Sequence, residues 1–343
     1  MSVPSWQNHV DISHLNTMAA PCVAEHYLEV TSQADLVAAV KAAQTQQLSI
    51  HLLGGGSNVL CPPFIHGLVL RPLIQGICVE VKPSAKQVLL TIGAGENWHQ
   101  LVEWSLAQGY YGLENLALIP GSVGAAPIQN IGAYGVELSD CLHSVKWFDL
   151  HTHCFKSFSK DDCKLAYRES IFKHQLKGQA VITEVVIQLN LVAAPVIHYK
   201  PLAEHFEHSA APVTPLAVFN AVCLQRNSKL PNPDEIPNSG SFFKNPVVSV
   251  QKLARLQKEF PAIPFYPQSG DSVKIPAAWL IDQCGLKGRC VQGLVVHAKQ
   301  ALVLTNPRKL TLEAVLSASD EIANHIIQRF GIALEREPQV LGA

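Results

Sequence analysis

Two side chains and three glycine-rich stretches have the types and spacing to do chemistry. In AYRESIFK (166–173), Arg168 stands in a locally apolar setting. An exposed arginine paired with Glu169 would account for it, and so would a carboxylate clamp, because a guanidinium presents a two-donor fork. In NSGSFFKNP (238–246), Ser241 lies between Gly240 and two phenylalanines. That suits a turn or capping serine, and equally an oriented hydroxyl acting as an acid beside apolar walls. GGGSN (54–58) can aim successive N–H groups inward as an anion nest, or it can be an ordinary tight turn. TIGAGENW (91–98) puts Gly93 and Gly95 between a strand and a helix. A dinucleotide fingerprint needs Gly or Ala where Trp98 stands, and no βαβ unit surrounds it, so that reading is rejected. IPGSVGAAPIQNIGAYGV (119–136) carries no charge, four glycines and two prolines. It is expected to be irregular backbone, too rich in glycine for a helix or strand.

Together the three stretches predict a groove walled by backbone and suited to a large flat cofactor with a pyrophosphate. Small residues let the chain approach closely, and N–H groups neutralise phosphates without buried cations. HTHC (151–154) resembles a metal cluster, but no acid or fourth ligand accompanies it, so a hairpin tip is expected and no metal site.

The elements that must position these residues follow from periodicity. YLEVT, LSIHLL (48–53) and HGLVLRPL suit strands, and Ser32 can cap a helix carrying Leu36, Val37 and Val40. ICVEV (77–81) and QVLLTIGAG (87–95) suit a hairpin, followed by a helix capped by Asn97 and stopped by Gly109. SVKWFDL (144–150), KSF and VITEVVIQL (181–189) read as further strands. Residues 191–212 hold three prolines and no period, as a crossing between domains would. Thr214 then caps a helix with Pro215 at its first position. SVQKLARLQKEF and PAAWLIDQCGLKG are helices, ALVLTN a strand. Leu312, Val315, Leu316, Ile322, Ala323, Ile326, Ile327 and Phe330 form one stripe of a last helix closed by Gly331.

Bulk properties narrow the function class. With 343 residues, two or three domains are expected. Hydrophobic residues at 48% against 15% charged supply a core and exclude disorder. A net charge of -1 with no block of like charge argues against a nucleic-acid binder, but not against a small anion held by a few cations. The start lacks a basic region followed by an apolar run, so no secretory leader is expected. The longest apolar run, VVIQLNLVAAPVI (185–197), is too short and too polar to span a bilayer. Nine irregularly spaced cysteines without a CxxC fit reduced thiols in a cytoplasmic protein.

GGGSNVL, GAGENWHQL, GLENLALIPGSVGAAPIQNIGAYGVEL, YRESIFK, NSGSFFKNP, WLIDQCGLKG and HAKQALVLTN occur in this order. On these motifs the chain resembles the UDP-N-acetylenolpyruvoylglucosamine reductase family over roughly residues 14 to 342. HYKPL and QRNSKLPNP resemble its branch with a tyrosine-bearing insertion loop. The resemblance implies an α+β protein. Its vanillyl-alcohol-oxidase-like FAD-binding fold would have two lobes, 1–75 and 76–198, followed by an α+β substrate-binding domain at 199–343. The final helix and tail are then able to pack back on the FAD site.

The resemblance also implies non-covalent FAD, NADPH as reductant, and reduction of UDP-N-acetylglucosamine enolpyruvate to UDP-N-acetylmuramate in peptidoglycan precursor synthesis. The expected setting is a cytoplasmic bacterial monomer with no nucleic-acid or membrane partner. Carried over motif by motif, Arg168, Ser241 and Glu337 are catalytic: carboxylate partner, proton donor and C-terminal acid. Gly54, Gly55, Gly56, Ser57, Asn58, Gly121, Ser122, Gly124, Asn130, Ile131 and Gly132 fall at the cofactor. Tyr199, Lys229, Asn245, Tyr266, Lys287 and Gln300 fall where the family contacts the UDP-sugar or the nicotinamide cofactor. One departure stands out. LEREPQVLG has Pro338 after the glutamate where the family has valine, which leaves Glu335 as an alternative to Glu337.

Overall fold

The computed structural model describes residues 5–82, 84, 86–207, 212–268 and 270–342. The chain divides into two compact units. The first comprises Met1–Val10, Ala24–Gly55 and His66–Ser228, the second Asp11–Val23, Gly56–Ile65 and Lys229–Ala343.

In the first unit, Gln7–Asp11, Val23–Val30, Phe64–Pro72 and Ile50–Leu52 form a four-stranded sheet in that order. Its last pair is parallel, with Ile50 opposite Leu68. Helix α1 (Gln33–Thr45) starts at Ser32, whose hydroxyl accepts the Asp35 N–H, and buries Leu36, Ala39, Val40 and Ala43. That i, i+3, i+4, i+7 face packs with Val30, Leu68 and Leu70.

A second, fully antiparallel sheet has the order Phe155–Ser159, Leu142–Asp149, Ala180–Asn190, Gln87–Gly93, Ile77–Lys82. The hairpin expected at 77–95 is present, with Ile77 opposite Ile92. HTHC is the tip of another: His153 has φ 55° and its N–H donates to the Asp149 carbonyl. Helix α2 (Trp98–Ala107) begins at Asn97, whose side chain accepts the Gln100 N–H, and gives way to Gly109 at φ 74°. It buries Trp98, Leu101 and Val102 against the sheet's Val88, Leu90 and Ile92.

Two sequence expectations fail here. The uncharged stretch is not irregular throughout: Val123–Gln129 is a 3-10 helix ended by Asn130 in the left-handed region. Its buried residues include Val123 and Ala126, one turn of three residues apart. A search for periods of 3.6 or 2 cannot see that repeat, and core packing offsets the glycine cost. Second, the stretch at 191–212 contains a helix, α3 (Lys200–Glu207), which buries Leu202 and Phe206 four residues apart. Pro201 sits in its first turn, where the missing N–H does no harm. Residues 208–211 of that crossing lie outside the described residues. Helix α4 (Pro215–Lys229) follows, with the Thr214 hydroxyl accepting the Ala217 N–H.

The second unit holds a four-stranded sheet in the order Asn238–Ser241, Val303–Thr305, Leu294–Val296, Cys290–Val291. A three-stranded sheet joins Val247–Ser249, Ser272–Lys274 and Tyr266–Pro267. Near its end the chain contributes Gln339–Val340, which pairs in parallel with Val59–Leu60. Helices α5 (Val250–Glu259), α6 (Ala277–Gln283) and α7 (Leu312–Phe330) complete the unit. Buried α7 residues include Val315, Ile322, Ile326 and Phe330, and Gly331 ends it at φ 61°. Ile327, expected on the same stripe, is 45% exposed. It stands about 100° around the helix from Ile326, off the buried face. The core of this unit includes Met18 and Leu60 beside Phe242, Ile281, Ile322 and Phe330.

Candidate active site

In the first unit the three glycine-rich turns lie against one another. A Cβ on Gly55 would come 2.6 Å from the Gly121 Cα, and one on Gly124 would come 2.6 Å from the Ala94 Cβ. The Gly124 N–H donates to the Ala94 carbonyl at 2.9 Å, and the Val123 N–H to the Glu96 carbonyl at 2.8 Å. Gly54 lies beside Ser122 and Ala125. These glycines therefore serve first the approach of loop to loop. The N–H groups of Gly54 and Gly55 donate to no acceptor among the described residues. Consecutive donors left open between tightly nested turns are what a phosphate-bearing cofactor needs. This chain's residues fit FAD on that observation.

From Asn130 onward the same stretch builds a seat for Arg168. Asn130 is fully buried, and its amide donates to the Glu137 carboxylate at 2.7 Å and the Ala166 carbonyl at 3.1 Å. Its side-chain oxygen accepts the Ser139 N–H at 2.9 Å. Buried Ile131 is tied into the same turn, its N–H donating to Ala126 and its carbonyl accepting from Leu138. The Arg168 guanidinium donates to the Gly132 carbonyl at 2.9 Å and the Asn130 carbonyl at 3.4 Å. Ser170 donates to the Ile128 carbonyl at 2.6 Å and the Lys173 ammonium to the Arg168 carbonyl at 2.9 Å. Arg168 itself has φ 57°, so a left-handed turn aims it.

Tyr199 is 36% exposed and meets Tyr134 edge-on, ring centres 5.6 Å apart. Asn115 fixes this pair: its amide donates to the carbonyls of both Tyr134 and Val196 at 2.9 Å. Burial pushes the Tyr134 phenol up. Tyr134 and Asn115 are residues that sequence reasoning missed. Both lie inside the motif that carried the resemblance, where aromatic and amide side chains among glycines were the available signal.

In the second unit, Gly56 has φ 68° and lies so close to Leu15 that a Cβ would meet its carbonyl oxygen at 1.7 Å. The Thr17 hydroxyl donates to the Ser57 carbonyl at 3.4 Å, and the Asn58 amide to the Glu337 carbonyl at 3.5 Å. Ser241 is half-buried at the end of its strand, opposite Val303 and after Gly240 at φ 70°. The next residues pair antiparallel with the tail. Phe243 bridges Arg336, the Lys244 N–H donates to the Glu335 carbonyl, and the Glu337 N–H donates to the Phe242 carbonyl, each at 2.9 Å. Ser241 and Glu337 are thus set on neighbouring rungs. Glu337 is buried, whereas the Glu335 carboxylate is largely exposed and ion-paired with Lys244.

Asn245 caps α6 from outside, its side-chain oxygen accepting the Ala277 N–H at 2.9 Å. Gln300 accepts the Leu302 N–H at 3.4 Å, and the Leu302 carbonyl takes the Phe242 N–H, so Gln300 stands beside the Ser241 segment. Tyr266 is 45% exposed, two strands from Val247 in the three-stranded sheet. Lys229 and Lys287 are exposed, Lys287 4.0 Å from Asp282, and no hydrogen bond or ion pair described above joins either to that group.

Residues 24–152 match the model of an FAD binding domain, and residues 232–341 that of UDP-N-acetylenolpyruvoylglucosamine reductase, C-terminal domain. This α+β order is the one the motifs implied. The chain is 44% identical over 327 residues to the UDP-N-acetylenolpyruvoylglucosamine reductase of Pasteurella multocida, covering 95% of this chain and 94% of that one. It is also 44% identical over 335 residues to the Neisseria meningitidis serogroup B protein of the same name, at 97% and 96% coverage. A crystal structure of the reductase from Thermus caldophilus aligns over 98% of both chains with a TM-score of 0.67 at 21% identity, a likeness of fold. Near-full-length identity at this level places the chain in the UDP-N-acetylenolpyruvoylglucosamine reductase family.

Proposed function

We propose that this FAD-dependent reductase of peptidoglycan precursor synthesis works through Arg168, Ser241 and Glu337 on UDP-N-acetylglucosamine enolpyruvate, giving UDP-N-acetylmuramate. The lobes 1–75 and 76–198 hold FAD non-covalently, at Gly54 to Asn58, Gly121, Ser122, Gly124 and Asn130 to Gly132. Bound FAD, reduced by NADPH, supplies the hydride for the terminal carbon of the enolpyruvyl double bond.

Negative charge then develops on the neighbouring carbon and its carboxylate. A fixed guanidinium is worth most where such charge appears. Arg168, held by two backbone carbonyls, is that cation. Glu337, buried beside Phe242, shares the load if burial keeps it protonated. Its neighbour Glu335 is already engaged by Lys244, which favours Glu337 as the acid.

The intermediate must next be protonated on carbon. Serine is a weak acid in water, but an enolate-like carbon is strongly basic, so geometry limits the transfer. The observation that carries the assignment is the Phe242–Glu337 hydrogen bond, which sets Ser241 and Glu337 on adjacent rungs. Residues from 199 onward take the UDP-sugar: Tyr199 and Asn245 as donors, Lys229 and Lys287 as cations, with Tyr266 and Gln300 at the sugar or the nicotinamide. On this reading the chain belongs to the tyrosine-bearing branch, which Tyr199 and the HYKPL and QRNSKLPNP stretches support. The enzyme acts as a cytoplasmic monomer.

Flavin bleaching by NADPH and recolouring by the enolpyruvyl UDP-sugar separate the two half-reactions. Ser241→Ala should bleach normally and recolour slowly. Equal loss in both halves would remove Ser241 from the proton-donor role.

A further inference from the structure

Lysine is rarely buried, because its ammonium loses hydration that a protein interior seldom replaces. Lys173 is buried all the same, and its Nζ donates to the Arg168 carbonyl at 2.9 Å. The Glu169 carboxylate lies 3.9 Å from the same ammonium and balances its charge. The lysine is anchored at its own backbone. It ends the 3-10 turn Ile171–Lys173, and its N–H donates to the Ser170 hydroxyl at 3.3 Å. That hydroxyl in turn donates to the carbonyl of Ile128, within the 3-10 helix of the uncharged stretch. The ammonium therefore reaches Arg168 from a fixed base.

Arg168 is a residue that needs holding. It occupies the second central position of a tight turn, in which Ala166 and Glu169 exchange N–H···O bonds at 3.1 and 3.0 Å. Its φ there is 57°, and turns of this kind favour glycine at that position. A residue with a Cβ stays in the left-handed region only when its surroundings impose it. Here the peptide that follows Arg168 is gripped at both ends. The Ala166 carbonyl takes the Glu169 N–H, and Lys173 takes the Arg168 carbonyl. The turn so fixed sends the guanidinium to the Gly132 and Asn130 carbonyls.

We propose that Lys173 is a positioning residue for the reaction. It holds Arg168 in its left-handed turn, and so sets where the guanidinium meets the enolpyruvyl carboxylate. This rests on the reading of Arg168 given above. Lys173 acts through Arg168, not by contact with the reacting atoms. Loss of the ammonium misaims the arginine without removing it.

The test is a double-mutant cycle on FAD-loaded enzyme, read separately in the two half-reactions. Lys173→Met should bleach with NADPH within about threefold of the parent's rate. It should recolour with the enolpyruvyl UDP-sugar about tenfold or more slowly, the scale of a small misplacement. Arg168→Met should recolour more slowly still. In the double variant the Lys173 effect should vanish, leaving the rate within about threefold of Arg168→Met alone. If Lys173→Met does not yield folded, yellow protein, Lys173→Gln enters the same cycle. Its loss should be about threefold or more, confined to recolouring, and likewise erased by Arg168→Met.

Recolouring at the parent's rate by the lysine variant overturns the inference. So does equal slowing of both half-reactions, which a merely structural lysine would give. So does a loss that multiplies with that of Arg168→Met, because Lys173 would then act independently. Arg168→Met alone tests the reading beneath. If it recolours at the parent's rate, Arg168 is not the carboxylate partner and the positioning role falls with it. If it is slow while the lysine variant is not, only Lys173 loses its role.

Discussion

Lys244 and Glu335 form an ion pair in which the lysine is nearly buried and the carboxylate mostly in solvent. Their backbones are bonded as well, the Lys244 N–H donating to the Glu335 carbonyl. The pair gives two glutamates two residues apart different surroundings, Glu335 exposed and ion-paired and Glu337 buried, and on the proposed reading this separates their roles. Glu335→Gln should change turnover less than about threefold, its cost falling on stability because the nearly buried Lys244 ammonium loses its carboxylate. Glu337→Gln should slow recolouring by the enolpyruvyl UDP-sugar about 10²-fold or more, leaving bleaching by NADPH nearly intact. Stopped-flow absorbance on both variants decides between them, and the reverse pattern would exchange their roles.

Ser241→Ala removes one hydroxyl from a half-buried strand end, so stability should change little. The second half-reaction should fall by about 10²–10⁴-fold, the range of a positioned proton donor. Single-turnover recolouring at saturating substrate measures it. A variant that recolours at the parent's rate would leave Ser241 as a turn residue.

Gly124→Val places side-chain atoms where the Ala94 backbone and methyl already stand. The 3-10 helix cannot shift without losing its bonds to Ala94 and Glu96. The expected result is protein purified without yellow colour, and a thermal midpoint lowered by several degrees. The ratio of flavin absorbance to protein absorbance reads the first. Full FAD occupancy at parental stability would mean that this loop contact is dispensable.

Asp149 clasps the hairpin that carries HTHC. Burial pushes its carboxyl up, but the Lys156 ammonium at 2.6 Å and the His151 and Thr152 N–H groups outweigh this and hold it well below the usual carboxylate range. A carboxylate lowered in the folded state adds stability above its unfolded value, about 3.9, and loses it as pH falls below that. Asp149→Asn should therefore melt roughly 2–4 °C lower at pH 7 for each kcal/mol lost. The gap to the parent should close as pH drops below about 4. A gap independent of pH would mean that the clasp works through neutral hydrogen bonds.

Capped helices were readable because local chemistry specifies them: Ser32, Asn97, Thr214 and Gly331 all act where their types suggest. The antiparallel hairpins at 77–93 and 142–159 were equally plain, since alternation and turn residues are local. The 3-10 turns at 123–129 were not, because their three-residue repeat is hidden among residues without side chains to repeat. The α3 helix was masked by its flanking prolines.

The pairing of Gln339–Val340 with Val59–Leu60 sets an order of events during synthesis. Met18 and Leu60 belong to a core whose other members all lie beyond Lys229. Those early segments leave the ribosome long before their partners exist. They must stay uncommitted until the last strand emerges, and loop closure over nearly the whole chain is slow. A fragment beginning at Lys229 would lack two of its own core hydrophobes and the strand that receives Gln339–Val340. Separating the two halves of the gene should therefore yield a C-terminal piece that aggregates unless peptides covering 11–23 and 56–65 are supplied.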